Sequence, residues 1–558
     1  MTPAVHAGFF SPATLGWVLL VFAVVWSLRA LGRPATAPRF DWKWWLLLGG
    51  VLLCFRWPLI WLPYELHVDE SLLIAGGMTL RHDPVYWRSV DCGTAGPLDV
   101  YPLLAAGFVS PPYGYAVARI MAVLLILGML GSLGASLALV SSRATARLTV
   151  LPLLAFESFT VNPEFIHYST ELMPGFLAAA GIYAIVRQVI RPAHSNIWFA
   201  SVLLGAAPFA KPQVGPIVVL LWLFLAFWEI RAGRRSNLSR LLIGGFSPAL
   251  AILTAVTVAG VRDHMLLSYF MGNFAYVQRI RYSAAEILGY QLQRSVLNGY
   301  LGLWLAGSAV YFVGATAWFR NTTPLLRRLQ AAAAVWLVVA LFCLLAPGRK
   351  FDHYMNFITL PVCGLAGVTL AIVLHSAAGC TPSRLRILAG VFLACALFPQ
   401  MALRLSPRVD PYAVYNVADR GPSYRELAQA VRAITTPGEA LGLWGWRSSL
   451  YVETGLGQAT RLAANQLLLE PGPWQNYFLR VYLSDIQSAH PPVFADTTGV
   501  GNFHYHDRSL GYEIYPELHT WIDAHYTYFG EVDAVRLYVR NDRLAAAKSV
   551  WPPDRRKP

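Results

Sequence analysis

Residues 64–101 read YELHVDESLLIAGGMTLRHDPVYWRSVDCGTAGPLDVY and lie between two long apolar segments. This stretch holds six carboxylates, at Glu65, Asp69, Glu70, Asp83, Asp91 and Asp99. A loop between two membrane-spanning segments lies at the lipid–water boundary, and functional residues are concentrated on such loops. We therefore expect this acidic loop to be the reacting end of the molecule.

The composition is that of a membrane protein. The 558 residues are 56% hydrophobic and only 13% charged, whereas a soluble protein carries roughly 25% charged residues. Apolar runs long enough to cross a bilayer, about 20 residues each, recur through residues 1–403. We predict a mainly α-helical, polytopic protein with about twelve spans, near residues 12–32, 44–63, 114–140, 147–162, 171–190, 197–210, 214–230, 241–261, 299–319, 329–346, 357–376 and 386–403.

The charges of the connecting loops predict the topology. One set of loops holds 16 basic residues against the two acids Asp41 and Glu229, and such loops are cytoplasmic by the positive-inside rule. The other set, including the 64–112 loop, then faces outward. The basic residues are Arg33, Arg39, Lys43, Arg143, Arg147, Arg187, Arg191, Arg231, Arg234, Arg235, Arg240, Arg320, Arg327, Arg328, Arg384 and Arg386. The net charge of +14 thus reflects membrane topology and lipid contact, and we expect no nucleic-acid partner.

The chain changes character near residue 404. We divide it into a transmembrane domain, residues 1–403, and a soluble α/β domain, residues 404–558. Helix periodicity follows residue 421 and recurs at 476–489, and strands are predicted at 441–446, 492–496 and 534–540. Because this domain follows the last span outward, we expect it on the same side as the acidic loop.

Two other patterns could bind metals or form disulfides. Six cysteines are present, and four of them lie in apolar runs, so we predict no disulfide framework. The segment NFHYHD, residues 502–507, could offer His504, His506 and Asp507 to zinc. Without a further distant ligand we interpret it as a solvated loop.

The pair Asp69-Glu70 stands at the start of a predicted helix. Asp is a favoured N-cap and Glu suits a first turn, so capping alone explains the pair. The alternative is a catalytic carboxylate at the mouth of a site. Both interpretations remain open from these residues alone.

Basic residues are predicted on the same outward face. The segment PGRKFDHY, residues 347–354, brings Arg349, Lys350 and His353 to an outer loop, against the general charge bias. Lys211 at a Lys-Pro break, and Arg279 and Arg281 in another outer loop, add further positive charge. Such residues neutralise and orient phosphate oxygens; anchoring to lipid headgroups is the alternative.

The order of these motifs resembles the GT-C superfamily of integral-membrane glycosyltransferases, especially bacterial relatives of the protein O-mannosyltransferase and lipid A aminoarabinose transferase type. The resemblance implies Asp69 as general base, Glu70 as its support, and Arg349, Lys350 and His353 as ligands of a lipid phosphate. Two departures are an extra first span, and the segment Asp91-Cys-Gly-Thr-Ala-Gly-Pro-Leu98 where the family often carries Lys-Pro-Pro. The remaining candidates for substrate binding are Asp91, Glu171, Lys211, Arg279, Arg281 and Tyr354.

The chemistry of a polyprenyl-phosphate sugar fits one carboxylate. The leaving phosphate departs as an anion without a proton, so a single base can activate the acceptor hydroxyl, and cations stabilise the developing charge. We predict an inverting sugar transfer to an unspecified acceptor on the outer face of a bacterial inner membrane. A divalent metal near Asp69, Glu70 and Asp91 stays open, as does a transporter or flippase of a lipid-linked sugar.

Three further charges lie within predicted spans: Arg56, Glu157 and Glu171. Charges inside spans are costly and often functional. Glu171 is close enough to the outer surface to help the site, and Arg56 could pair with a nearby carboxylate. A structural ion pair is the alternative for each.

Overall fold

The computed structural model describes residues 11–31, 41–109, 114–279, 281–296, 299–318, 323–377, 381–408, 423–500 and 505–551. The chain forms two compact units. The first unit comprises Met1–Trp61, Ala122–Leu250 and Ile280–Ala413, and the second comprises Leu62–Met121, Ala251–Arg279 and Val414–Pro558. Each unit is therefore assembled from three segments that are distant in sequence. The predicted division at residue 404 stays a prediction.

Helices dominate the described residues as far as residue 405. They are α1 (Pro12–Arg29), α2 (Trp42–Ile60), α3 (Val68–Thr79), α4 (Pro97–Val109), α5 (Tyr115–Val140), α6 (Arg143–Phe159), α7 (Pro163–Ile166), α8 (Leu172–Ile190), α9 (His194–Ala206), α10 (Gly215–Arg231), α11 (Asn237–Val258), α12 (Arg262–Met265), α13 (Asn273–Arg279), α14 (Ala284–Gln291), α15 (Tyr300–Trp318), α16 (Pro324–Leu345), α17 (Asn356–Ser376), α18 (Pro382–Ala396) and α19 (Phe398–Leu405). Two π-helical segments, Leu266–Gly272 and Leu292–Val296, are inserted among them.

The C-terminal part alternates strands and helices. The strands are β1 (Ala440–Trp444), β2 (Gly457–Gln458), β3 (Val493–Asp496), β4 (Tyr526–Val532) and β5 (Val535–Arg540), and the helices are α20 (Ser423–Ile434), α21 (Ser449–Thr454), α22 (Gln466–Leu469), α23 (Gln475–Ala489), α24 (Pro516–His525) and α25 (Leu544–Val550). The sheet order is β2-β1-β3-β5-β4. Strand β1 is parallel to β2 and β3, whereas β5 is antiparallel to β3 and β4. This arrangement confirms the predicted α/β fold, and β2 and β4 are strands that the sequence patterns did not predict.

Fewer candidate spans occur among the described residues than the sequence predicts. Eight helices of the described residues are long and apolar enough to cross a membrane, or up to ten if two bent pairs each form one span. The predicted spans 147–162 and 197–210 correspond to α6 and α9, which have 17 and 13 residues and fall short of the roughly 20 residues a span needs. The chain is an integral membrane protein, and its described residues hold eight to ten candidate spans where the sequence predicted about twelve.

The core of the first unit surrounds α17. In the apolar stretch of this span 89% of the residues are buried, the largest share among the eight candidate spans of the described residues. It packs against α6, α15 and α16. Small residues permit this approach: a Cβ at Gly367 would lie 2.5 Å from Cγ2 of Thr149. Close packing through glycine is a general device of membrane helix bundles.

The second unit joins the acidic loop to the C-terminal domain. The backbone N–H of Gln458 donates to Thr79 Oγ1 at 3.0 Å, and that of Asp91 donates to the carbonyl oxygen of Arg461 at 2.7 Å. Arg461 also donates to the carbonyl oxygen of Trp87 at 3.2 Å. The acidic loop and the C-terminal domain therefore lie on the same side of the membrane, as the loop charges predict.

Candidate active site

The start of α3 sets the position of Asp69. The cap is not an aspartate: His67 has extended backbone, and its Nδ1 accepts a hydrogen bond from the N–H of Asp69 at 3.2 Å. Asp69 lies in the first turn, where a carboxylate is favoured by the helix dipole. The N-cap interpretation of Asp69 is therefore wrong, and its side chain, 22% exposed, is left out of the cap.

Glu70 points away from Asp69 into the interior. It is fully buried and forms a two-pronged ion pair with Arg119, with contacts of 2.9 and 2.8 Å. Arg119 also donates to the carbonyl oxygens of Leu62 and Tyr64 at 2.8 and 2.6 Å. The pair thus ties the chain before α3 to α5, and the supporting role of Glu70 in catalysis stays a prediction.

Most carboxylates of the acidic loop are held by partners within the second unit. The partners are Ser71 for Glu65, Arg119 for Glu70, Arg88 for Asp83 and His264 for Asp91. These contacts hold the loop in one conformation. Asp69 is different because the nearest ionisable side chain to its carboxylate among the described residues, His67, is 3.7 Å away through Nδ1.

A cavity with a volume of about 70 Å³ brings Asp69 and Asp91 together, as the sequence predicted for a common site. Its other polar lining residues are Thr94, Ser268, Asn273, Tyr276 and Gln466, and Trp446 contributes an aromatic wall. Trp446 follows Gly445, which has a φ of +102° and no space for a Cβ, since that atom would lie 2.4 Å from Oγ1 of Thr497. Carboxylates, amides, hydroxyls and one indole are the groups that hydrogen-bond and stack on a polyhydroxylated ligand.

Asp91 is the buried centre of a hydrogen-bond network. Its Oδ2 accepts from His264 Nε2 at 2.9 Å and from the Ser268 hydroxyl, and its Oδ1 accepts from the N–H of Gly93 at 2.9 Å. The other ring nitrogen of His264 bonds to the hydroxyl of Tyr477 at 2.9 Å. Burial alone would raise the pKa of Asp91, but the hydrogen bonds and charge of these partners hold that pKa below its ordinary value.

The carboxylates Asp69, Glu70 and Asp91 do not fit the divalent metal site that the sequence left open. Both oxygens of Glu70 bond to Arg119, and both oxygens of Asp91 accept hydrogen bonds. Hard divalent cations need several oxygen ligands, and of the three carboxylates only Asp69 is left to supply one. The NFHYHD pattern does not supply a site either: His504 lies outside the described residues, while His506 and Asp507 are exposed and Asp507 caps a turn at Ser509.

The first unit gathers a separate group of predicted site residues. Lys211 bonds to Glu171 and donates to Thr170 Oγ1 at 2.6 Å, and its ammonium lies 4.9 Å from the centre of the Tyr354 ring. His353 bonds to Glu164 through Nδ1 and lies 3.9 Å from Glu171 through Nε2. Lys211 and His353 therefore each have a carboxylate partner in this cluster, Glu171 and Glu164 respectively. Contacts of Lys211 and His353 with substrate stay predictions.

The loop before His353 presents further positive charge. Gly348 has a φ of +68°, and a Cβ there would lie 2.6 Å from Cγ of Arg281, so glycine allows Arg281 to pack on this loop. Lys350 lies 3.8 Å from Glu286 and over the ring of Tyr282. Arg349 is 8% exposed. Arg279 ends α13 in the second unit, and its side chain is not among the described ones.

The predicted ion pair of Arg56 is present. Its guanidinium lies 2.7 Å from Glu157, and it donates to the carbonyl oxygens of Phe165 and Ile166. Both charged side chains are at most 5% exposed. The pair therefore links α2 to α6 and to the segment before α8. Of the two interpretations of Arg56, this contact agrees with a structural ion pair.

Sequence reasoning missed the contribution of residues 262–279 to the cavity. His264, Ser268, Gly272 and Tyr276 recur every four residues in a mostly apolar run, and three of them line the cavity while His264 holds Asp91. The π-helical turn Leu266–Gly272 keeps this spacing on one face, and such segments are frequent at functional sites. That four-residue period was the available signal.

The sequence matches no protein-family model and no curated protein, but the fold matches solved structures. ArnT from Cupriavidus metallidurans bound to undecaprenyl phosphate is 14% identical, with a TM-score of 0.59 over 91% of this chain and 99% of that one. ArnT in the apo state gives 14% and 0.57, over 90% and 98% of the two chains. The chain has the GT-C fold.

The GT-C fold is the one that the resemblance predicted from the Asp69-Glu70 pair and the PGRKFDHY segment. The oligosaccharyltransferase of Archaeoglobus fulgidus with zinc and sulfate is also similar, at 12% identity and a TM-score of 0.46, over 94% of this chain and 73% of that one. At such identities the likeness concerns the architecture.

Proposed function

We propose that the chain is a glycosyltransferase that moves a sugar from a polyprenyl-phosphate donor to an acceptor hydroxyl, with inversion at the anomeric carbon. We place the reaction on the outer face of a bacterial inner membrane. The observation that carries the proposal is the cavity of the second unit, in which Asp69 stands among hydroxyls, amides and Trp446. The GT-C fold supports it, since ArnT with that fold binds undecaprenyl phosphate.

Asp69 is the general base of the proposed reaction. Its carboxylate takes the proton of the acceptor hydroxyl as the acceptor oxygen forms a bond to the anomeric carbon. The bond between that carbon and the phosphate oxygen breaks, and the phosphate leaves with the electron pair. The cap by His67 fixes the first turn of α3, and with it the Asp69 carboxylate, at the cavity. Positioning of this kind contributes much of an enzyme's rate.

Asp91 has a different role in this scheme. Its oxygens are occupied by His264, Ser268 and Gly93, so it is poorly placed to accept a further proton. It orders the wall of the cavity and aligns the hydroxyl of Ser268. We therefore assign proton abstraction to Asp69 and positioning to Asp91.

The loop carrying Arg349 and Lys350, together with Arg281 packed on it at Gly348, is the proposed binding site for the donor phosphate. Arginine and lysine stabilise the charge that grows on a departing phosphate. In the neighbouring cluster, Lys211 already pairs with Glu171 and His353 with Glu164, so these side chains are better suited to support this loop than to neutralise a phosphate by themselves.

The test is a transfer assay in membranes with a panel of radiolabelled polyprenyl-phosphate sugars. Asp69→Asn should lower transfer by about 100-fold or more, the typical contribution of a general base, while donor binding is retained. Asp83→Asn is the matched control, because Asp83 lies in the same loop but pairs with Arg88. Full transfer by Asp69→Asn would falsify the assignment, and movement of the donor across the membrane without transfer would favour a flippase.

A further inference from the structure

A second cavity lies in the first unit, at the end of the helix bundle that carries the basic loops. Its volume is about 270 Å³, far more than the ~10–15 Å³ that holds one water. It is formed where α5 and α8 end and where α2 and α6 begin. The proposed glycosyl transfer does not use these residues.

Four arginines line this cavity against a single carboxylate. They are Arg143, Arg147, Arg187 and Arg191, and the carboxylate is Asp41. Asp41 pairs with Arg147, whose guanidinium also lies 4.4 Å from the ring centre of Trp26. Among the described residues, no carboxylate forms an ion pair with Arg187 or Arg191, which are both exposed. The cavity therefore carries an excess of positive charge that an anion would neutralise.

The remaining lining indicates a ligand with an apolar part. Gly134, Ala135 and Ala138 of α5 leave the space open, and Leu139 continues it with apolar surface. Aromatic residues Trp44, Trp45 and Tyr183 also line it. Tryptophan and tyrosine at the ends of spanning helices mark the depth of lipid headgroups.

We propose that this cavity is a binding site for the phosphate headgroup of an anionic phospholipid such as phosphatidylglycerol. Basic pockets between membrane helices on the cytoplasmic side are suited to such headgroups. Arginine forks bind two phosphate oxygens at once, and the small residues of α5 make room for the glycerol and the first part of the acyl chains. Positive loop charge alone would orient the protein in the membrane but requires no cavity.

The test is a lipid titration of the purified full chain in detergent, with the bound species counted by native mass spectrometry. Phosphatidylglycerol should bind more tightly than phosphatidylcholine. Arg187→Gln with Arg191→Gln should weaken phosphatidylglycerol binding about 30-fold, which corresponds to about 2 kcal/mol at ~1 kcal/mol per arginine. Arg384→Gln with Arg386→Gln removes the same charge from the exposed start of α18 and should leave binding unchanged.

Two further measurements test whether the cavity binds the lipid specifically. Ala138→Leu fills the cavity without changing charge and should also weaken phosphatidylglycerol binding. Equal losses in the two arginine pairs, or no loss in Ala138→Leu, would overturn a specific site. Inorganic phosphate is the probe for the alternative source: if it binds as tightly as phosphatidylglycerol, the ligand is a free anion and the lipid assignment is wrong.

Discussion

The Nε2 atom of His264 lies 2.9 Å from Oδ2 of Asp91, and both side chains are buried. Removing one partner of a buried pair leaves the other charge without compensation, which typically costs about 3 kcal/mol. His264→Ala should therefore destabilise the protein by about that amount, measured by thermal unfolding in detergent with tryptophan fluorescence. Tyr477→Phe removes only the hydroxyl that bonds to His264, so it should cost about 1 kcal/mol. Equal stability of His264→Ala and the wild type would contradict this account.

The same carboxylate should make stability depend on pH in the acid range. The pKa of Asp91 in the folded chain lies below its ordinary value of 3.8, so its ionised form contributes stability above pH 3.8 that is lost as pH falls through the folded value. Asp91→Asn should flatten the decline of unfolding temperature below that pH. Asp263→Asn, at a side chain 77% exposed, serves as the control and should retain the wild-type decline.

Glu70 and Arg119 should act as one unit in catalysis. Each holds the segment that leads into α3, and a displacement of Asp69 by about 1 Å can cost roughly 100-fold in rate. Glu70→Gln and Arg119→Ala should each lower transfer to that extent. The double variant should be no worse than either single one, because partners in one network are not additive. Additive losses would show that the two side chains act independently.

Gly348 should be required for donor binding. Its positive φ and its contact with Arg281 leave no space for a Cβ, so Gly348→Ala should displace the loop that carries Arg349 and Lys350. We expect donor affinity to fall about tenfold, since such backbone strain costs 1–3 kcal/mol. Gly233→Ala is matched: it also has a positive φ, of +75°, but nothing lies near the added atom. Equal donor affinities in the two variants would show that this loop does not bind the donor phosphate.

The sequence was sufficient for the architecture because its signals are local. Apolar run length predicted the long helices, and the short segments 441–446, 492–496 and 534–540 were predicted as the strands that the structure shows as β1, β3 and β5. The short helices α6 and α9 were counted as spans because hydropathy does not register where a helix ends. Strands β2 and β4 were not predicted: β2 has only two residues, and β4 contains a bulge near Gly530.

The candidate site was only half visible in the sequence. Asp69 and Asp91 could be identified from their loop, and both line the same cavity. The cap by His67, the partner of Glu70 and the contacts of Asp91 depend on pairings across 2 to 173 positions of chain, which composition does not encode. Trp446 was one of several aromatics, and only the conformation of Gly445 singles it out.

The second unit is built from segments that begin at Leu62, Ala251 and Val414. A ribosome must therefore translate about 390 further residues after Asp69 before Gln458 and Arg461 can bond to Thr79 and to Asp91. Throughout that interval the acidic loop lacks the C-terminal residues that line the cavity, such as Trp446 and Gln466. The cavity therefore forms only near the end of synthesis. Premature termination ahead of Gly457 would leave a membrane-inserted polypeptide with an unfinished pocket.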